Sequence, residues 1–383
     1  MAYLDHAAST PVRPEAIVAM EPLLAVTFGN PSGSHAAARA SKSALEEARE
    51  VVAAAVGAQP SEIVFTGGGS ESDNLAVKGA AWAARDRGEP AAVVVSGIEH
   101  KAVLGAAARL ERQGHRVTRV DATPDGIVDL DRLAGALDHD TAVVSVMLVN
   151  NETGIVQPLV EVAALVRDRS PRALLHTDAV QAPQWLDLRT NTDQADLVSL
   201  SGHKFGGPKG VGVLVVRGGV RLVPLVEGGG HEQERRAGTQ NVPGIVGLAT
   251  ALRITDEHRP EETARIAHLR DRLQAGLARG VPDMPVNGDE ARRVAGVLHA
   301  AFLGLDAETL LVALDHEGVY AASGSACSSG AIDPSHVLLS MGMPRDRALS
   351  SIRFSLGYAS TDADVDEALT VIPEVVAKLR SAS

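Results

Sequence analysis

Short apolar runs alternate with helical stretches between residues 40 and 216. "SALEEAREVVAAAVG" places Leu45, Ala48, Val52 and Ala55 at helical spacing. "EIVFTGGG" is a β-rich run ending in glycines, and "ESDNLAVKGAAWAARDRG" reads as a helix with a glycine stop. "AAVVVSG", "RVTRVD", "TAVVSVMLV", "ALLHTDA", "DLVSLSG" and "VGVLVV" read as further strands; "KAVLGAAARLERQG", "DLDRLAGAL" and "LVEVAALVRDRS" read as helices. Continuous apolar runs separated by helices predict an α/β fold, with a mostly parallel sheet covered on both faces. From about residue 255 the pattern changes. "AHLRDRLQAGL" is amphipathic through Leu269, Leu273 and Leu277, and "ETLLVALDHEG" and "DVDEALTVIPEVVAKLR" read as helices. "GVLHAAFLG" reads as a strand. "SSIRFSLG" alternates, with Ile352, Phe354 and Leu356 on one face and Ser351, Arg353 and Ser355 on the other. This predicts a smaller α+β domain. The boundary is placed near "LRITDEHRP", with a large domain over 15–254 and a small one built from 1–14 and 255–383.

The totals narrow the class. A chain of 383 residues, 45% hydrophobic and 22% charged, is expected to be a soluble protein of two domains. Its one cysteine forms no internal disulfide, and "MAYLDHAAST" lacks the features of a secretory signal. The longest apolar run, "AVVSVMLV", is too short to span a bilayer, so a cytoplasmic protein is expected. A net charge of −12, with three Tyr and two Trp, argues against direct contact with nucleic acid or anionic membrane.

In open parallel sheets ligands gather at the carboxyl ends of strands. Five successive apolar runs end there in polar groups: "TGGGSES", Glu99 and His100, Asn150–Asn151–Glu152, Asp178 with Gln181, and His203 with Lys204. The glycine turn at Gly68 and Gly69, with Ser70 opening a helix, suits a phosphate; a plain helix cap explains it equally well. Asp178 ends an apolar strand and calls for a cation: a metal, a protonated ring nitrogen or a structural Arg. Lys204, between a buried strand and a glycine turn, is placed to lose its proton and react with a carbonyl, although a lone lysine more often reaches for water. His100 and Arg353 alone read as ordinary core or surface residues. Together, a phosphate cradle, an acid for a ring nitrogen, an amine for an aldehyde and an imidazole to stack describe pyridoxal phosphate.

With these motifs in view the chain resembles the cysteine desulfurases of the NifS/IscS kind, within the class V aminotransferases. The resemblance runs through "YLDHAAST", "EIVFTGGGSESDNLAVKGA", "EHKAVL", "SVMLVNNETG", "HTDAVQ", "SGHKFGGPKGVG", "GGGHEQERRAGTQN", "SGSACSSG" and "SSIRFSLG". It implies the fold type I architecture of pyridoxal phosphate enzymes, with a seven-stranded central sheet. It implies that Lys204 bonds the cofactor's aldehyde, Asp178 its ring nitrogen and Gln181 its phenolic oxygen, while His100 stacks on the ring and assists proton transfer. Gly68, Gly69, Ser70, Ser201 and His203 correspond to the phosphate site. Thr239 would reach the phosphate of a second subunit, which makes the protein a homodimer. Asn151 and Arg353 correspond to the clamp on the carboxylate of L-cysteine. Cys327, in the segment 321–336, corresponds to the nucleophile that takes the sulfur as a persulfide and passes it to an acceptor protein, either of DNA phosphorothioation or of iron–sulfur cluster assembly and tRNA thiolation. The flanking Gly324, Ser325, Ser328, Ser329 and Gly330 fit a nucleophile that travels. Three departures, His6 and Ala7 where many relatives carry other residues before a Thr–Thr pair, Gly69–Ser70 where Ala–Thr is frequent and Ala237 where Ser is usual, remove no group that this chemistry needs, and no catalytic role is given to His6. A rival reading, a metal-dependent hydrolase using His100, His176, Asp178, His203 and His231, has no established ligand spacing behind it.

Overall fold

The structure, a computed structural model, describes residues 1–324 and 333–382. Its strands in chain order are β1 (Ala2–Tyr3), β2 (Ile63–Thr66), β3 (Ala92–Ser96), β4 (Val117–Val120), β5 (Thr141–Ser145), β6 (Leu174–Asp178), β7 (Leu197–Ser201), β8 (Gly212–Val216), β9 (Val297–Ala301), β10 (Val319–Tyr320) and β11 (Ser351–Ser355). Seven of them form one sheet in the order β2-β8-β7-β6-β5-β3-β4. Only β8 runs against its neighbours. The strands from β5 to β8 are Val- and Leu-rich and almost wholly buried, as a sheet covered on both faces requires. The α/β expectation and its seven-stranded sheet are met.

The run "TAVVSVMLV" is a ladder strand only as far as Ser145. Beyond it the chain still follows β6, since Val146 and Leu148 donate to the carbonyls of His176 and Asp178, and then turns at Asn150. The turn holds because Asn150 Oδ1 accepts from the backbone N–H groups of Glu152 and Thr153 at 3.0 and 2.9 Å. The helix after β2 starts at Gly69, two residues before the stretch that reads as helical, so its first free N–H groups belong to the glycine turn.

A 39-residue helix, Val242–Gly280, runs through "LRITDEHRP" without a break and carries Pro260 inside it. Its first half packs Ile245, Leu248 and Leu252 into the core under the large sheet. Its second half packs Ile266, Leu269, Leu273 and Leu277 into a separate core with Phe302, Ile352 and Phe354. That second core is closed by the antiparallel pair β9–β11, the parallel pair β1–β10 and the helix Asp362–Ala382. Among the described residues no helix is long and apolar enough to cross a membrane.

Candidate active site

One cavity of about 720 Å³ opens at the carboxyl ends of the parallel strands. Its walls bring together Gly68, Gly69, Ser70, His100, Asn151, Asp178, Gln181, Ser201, His203, Lys204 and Arg353. These residues span 286 positions of sequence between Gly68 and Arg353, and the fold places them in one hollow. Thr239 is exposed and does not line this cavity. Cys327 lies outside the described residues.

Lys204 closes a single 3₁₀ turn, Gly202–Lys204, directly after β7. Its Nζ donates to the carbonyls of Ala7 and Ala8 at 2.6 and 2.8 Å. Loss of hydration, reinforced by the positive charge of Arg353, lowers its pKa to about 8; Asp178 and Asp5 oppose the fall. Asp178, 4% exposed, ends β6 and among the described residues accepts the Val180 N–H alone, at 2.9 Å. Burial raises its pKa, and His100 and Lys204 hold it down in part. His100 caps the helix Lys101–Arg112 by accepting the Ala102 N–H at Nδ1, 3.1 Å away. Loss of hydration lowers its pKa, and Asp178 opposes the fall. Burial also lowers that of His203, to about 4.

The glycine turn packs tightly on the strand ends. Gly68 has φ +148°, a region that side chains avoid. A Cβ at Gly69 would stand 2.8 Å from Val180 Cγ2 and 3.3 Å from Ser201 Cβ. The helix start has no side-chain cap, so its N–H groups face the cavity beside Ser70 and Ser201.

Arg353 stands on the polar face of β11, yet it is 5% exposed. Its Nη1 donates to the Asn151 carbonyl at 2.6 Å and its Nη2 pairs with Asp5 Oδ1 at 2.7 Å. Two buried polar atoms of this pair, Arg353 Nε and Asn151 Oδ1, have no hydrogen-bond partner among the described residues. Among these residues a bound molecule with a carboxylate and an amine would find both.

Several groups of this site escape a reading of the sequence. Asp73 lies one helical turn after Ser70, an offset that was there to be read, and it is buried in the cavity wall, where Oδ1 has no hydrogen bond among the described residues and faces His176 Nε2 at 3.6 Å. Ala7, Ala8 and Ser9 contribute from the N-terminal segment, and backbone carbonyls leave no trace in side-chain patterns. Asp5, the partner of Arg353, is likewise silent in the sequence. Of the residues considered for a metal, His176 is sealed beneath the sheet between Ser145 and Ser199, and His231 bonds Ser32 elsewhere on the surface. Only His100 and Asp178 of that set meet, joined by Asp73, with their ligand atoms within 4.8 Å of one another.

The arrangement fits pyridoxal phosphate: a reactive amine, a buried carboxylate lacking a cation, a helix start with free N–H groups and orphaned polar atoms at the mouth. The model of the class-V aminotransferases matches residues 2–368. A cysteine desulfurase IscS of Methanosarcina thermophila is 44% identical over 381 residues, covering 100% of this chain and 93% of the relative. A solved NifS-like protein superposes with a TM-score of 0.92 at 34% identity, over 99% of this chain and 100% of the other. DndA from Streptomyces lividans superposes with a TM-score of 0.77 at 38% identity, over 92% and 99%. A likeness of this extent, carried by sequence and fold alike, makes the chain a member of the class-V aminotransferase family and, within it, of the cysteine desulfurases.

Proposed function

We propose that this chain converts L-cysteine to L-alanine and collects the sulfur on Cys327 as a persulfide. The family depends on pyridoxal phosphate, and the residues to hold it are Lys204, Asp178, Gln181 and His100 around the ring, with Gly68, Gly69, Ser70, Ser201 and His203 at the phosphate. Thr239 completes the phosphate site of a second subunit. Residues 15–254 form the cofactor-binding unit, and 1–14 with 255–383 the smaller one. The observation that carries this reading is the Lys204 amine, set at about 8 on the floor of a cavity whose other walls hold Asp178 and Arg353.

When bound, pyridoxal phosphate supplies an electron sink that weakens the bonds next to the substrate's amino-bearing carbon. The protein does the rest. Arg353 and Asn151 orient the carboxylate of L-cysteine. The Lys204 Nζ takes the Cα proton and returns it, and an amine near pKa 8 does both at neutral pH. His100, whose pKa is lowered here, is placed to accept the proton of the substrate thiol and hand it to the carbon that keeps the electron pair. The Cys327 thiolate attacks the substrate sulfur: the C–S bond breaks, an S–S bond forms, and the carbon keeps the electron pair and gains a proton to become alanine. The persulfide then passes to an acceptor protein, and sulfur transfer assayed against a phosphorothioation protein and an iron–sulfur scaffold separates the two acceptors.

The test is direct. Purified protein is yellow, loses that absorbance on borohydride reduction, and releases alanine from cysteine. Cys327→Ala keeps the absorbance and forms no persulfide. A colourless protein that takes up no cofactor, with Lys204 intact, would refute the reading.

A further inference from the structure

Glu152 is a buried acid without a role in the steps above. It is 1% exposed, and among the described residues no Lys or Arg comes within ion-pair distance of it. Burial raises its pKa; Ser335, His336, Arg353 and Lys101 pull it back in part. An isolated buried carboxyl costs stability, so packing alone does not account for it.

Its contacts are specific. The Ser335 hydroxyl donates to Glu152 Oε2. The same oxygen faces Gly324, where an added Cβ would stand 2.6 Å away and where φ is +75°. Residues 324 and 335 are the chain on either side of Cys327. Each is tied to the site by a second contact close by. Ala322 pairs with Arg353, N–H to carbonyl, at 3.2 and 2.7 Å. His336 Nε2 meets the Glu99 carbonyl at 2.9 Å. Glu152 itself is held by Asn150 and is next in sequence to Asn151, whose carbonyl receives Arg353.

We propose that Glu152 is a positioning residue for sulfur transfer, one carboxyl group hydrogen-bonded to Ser335 and packed closely against Gly324, the two flanks between which Cys327 lies. This rests on Cys327 as the sulfur acceptor. The turn Asn150–Glu152 thereby joins the carboxylate clamp to the anchor of the thiol-bearing segment.

The test uses cofactor-loaded protein, with Cys327 as the sole thiol to report. In Glu152→Ala the absorbance change produced by added cysteine stays within about twofold of wild type, alanine release falls about tenfold, and the rate of Cys327 alkylation by iodoacetamide changes at least about threefold. Glu152→Gln, which keeps an acceptor for Ser335, recovers most of both. Ser335→Ala also removes the cap that accepts the Val337 and Leu338 N–H groups, so in the double variant the effects of Ser335→Ala and Glu152→Ala on alkylation combine to less than their sum, because they share one contact; full additivity would count against the proposal. Wild-type alkylation and turnover in Glu152→Ala would overturn the proposal. If that variant fails to load cofactor, Ser335→Ala removes only a hydroxyl, and wild-type alkylation of Cys327 in it would overturn the proposal equally. Alanine release by Cys327→Ala at the wild-type rate would instead overturn the role of the thiol, while the alkylation comparison still judges the anchor.

Discussion

The Lys204 amine lies between opposed charges. Burial and Arg353 favour its neutral form; Asp178 and Asp5 favour the ammonium. With a pKa of about 8 the free-amine fraction grows as pH rises through that value, so the rate of cofactor capture climbs from pH 7 to 9 and then levels. Replacing Arg353 by Gln removes a lowering influence. The midpoint of that profile, followed by the visible absorbance of freshly mixed cofactor, then moves to higher pH by about one unit or less; an unmoved midpoint would assign the shift to burial alone. Glu99 makes the opposite case. Burial raises its pKa from 4.5 to about 8, against hydrogen bonds from Ser96 and Met147. The folded chain therefore holds a proton that the unfolded chain releases. The stability this contributes is complete below pH 4.5 and lost as pH rises through about 8. Glu99→Gln cannot ionise. Its stability in cofactor-free protein gains on the wild type between pH 5 and 8 by about 3–4 kcal/mol, read from denaturant unfolding at each pH.

At the scale of elements, the start of the helix Gly69–Asp86 decides whether the site forms. Gly69→Ala puts a methyl 2.8 Å from Val180 Cγ2, against the ends of β6 and β7. Val180 or the turn must shift to admit it, and the expected outcome is a cofactor affinity about two- to threefold weaker with a modest fall in Tm. Gly105, exposed on the helix Lys101–Arg112 with no atom near its missing Cβ, is the control: Gly105→Ala leaves the cofactor alone and stabilises by about 0.5–1 kcal/mol. Elements of this kind were legible because apolar runs such as "AVVVS" and "LVSLS" are buried on both faces and bounded by turns. The polar groups beyond the strand ends were legible for the same reason, since a polar side chain at the end of a buried strand has few places to go. Arg353 was harder. Alternation correctly set it opposite Ile352 and Phe354, but a polar face reads as a wet one, and here it lines the cavity wall with Asp5 and Asn151. The break of "TAVVSVMLV" at Ser145 and the unbroken helix Val242–Gly280 depend on tertiary partners, Asp178 in one case and two separate cores in the other, which local pattern does not encode.

The whole molecule leaves one surface unaccounted for by a single chain. Of the large apolar side chains that remain exposed, Ile17, Val18, Leu24, Val26 and Phe28 come from one short stretch, the helix Pro14–Ala25 and the three residues after it; Val26 and Phe28 are 77% and 74% exposed. So dense a cluster is costly in water unless something covers it. The same helix packs on Val242–Gly280, with Met20 Sδ 2.5 Å from where a Cβ at Gly247 would be, and that long helix begins three residues after Thr239. Thr239 therefore lies just ahead of the helix that the apolar stretch packs on, and the stretch presents an exposed face. If a second copy covers that face, each Thr239 is carried towards the partner's cavity, and burial of the patch and completion of the phosphate site become one event. Phe28→Asp with Val26→Asp puts two charges into the patch without touching any residue of the cavity. Sedimentation should then show one 39.8 kDa chain where the wild type shows two, and the cofactor should bind about tenfold more weakly at the same protein concentration. A monomer that still holds cofactor as tightly as the wild type would separate Thr239 from the phosphate site. A variant that remains dimeric would place the subunit contact elsewhere on the surface.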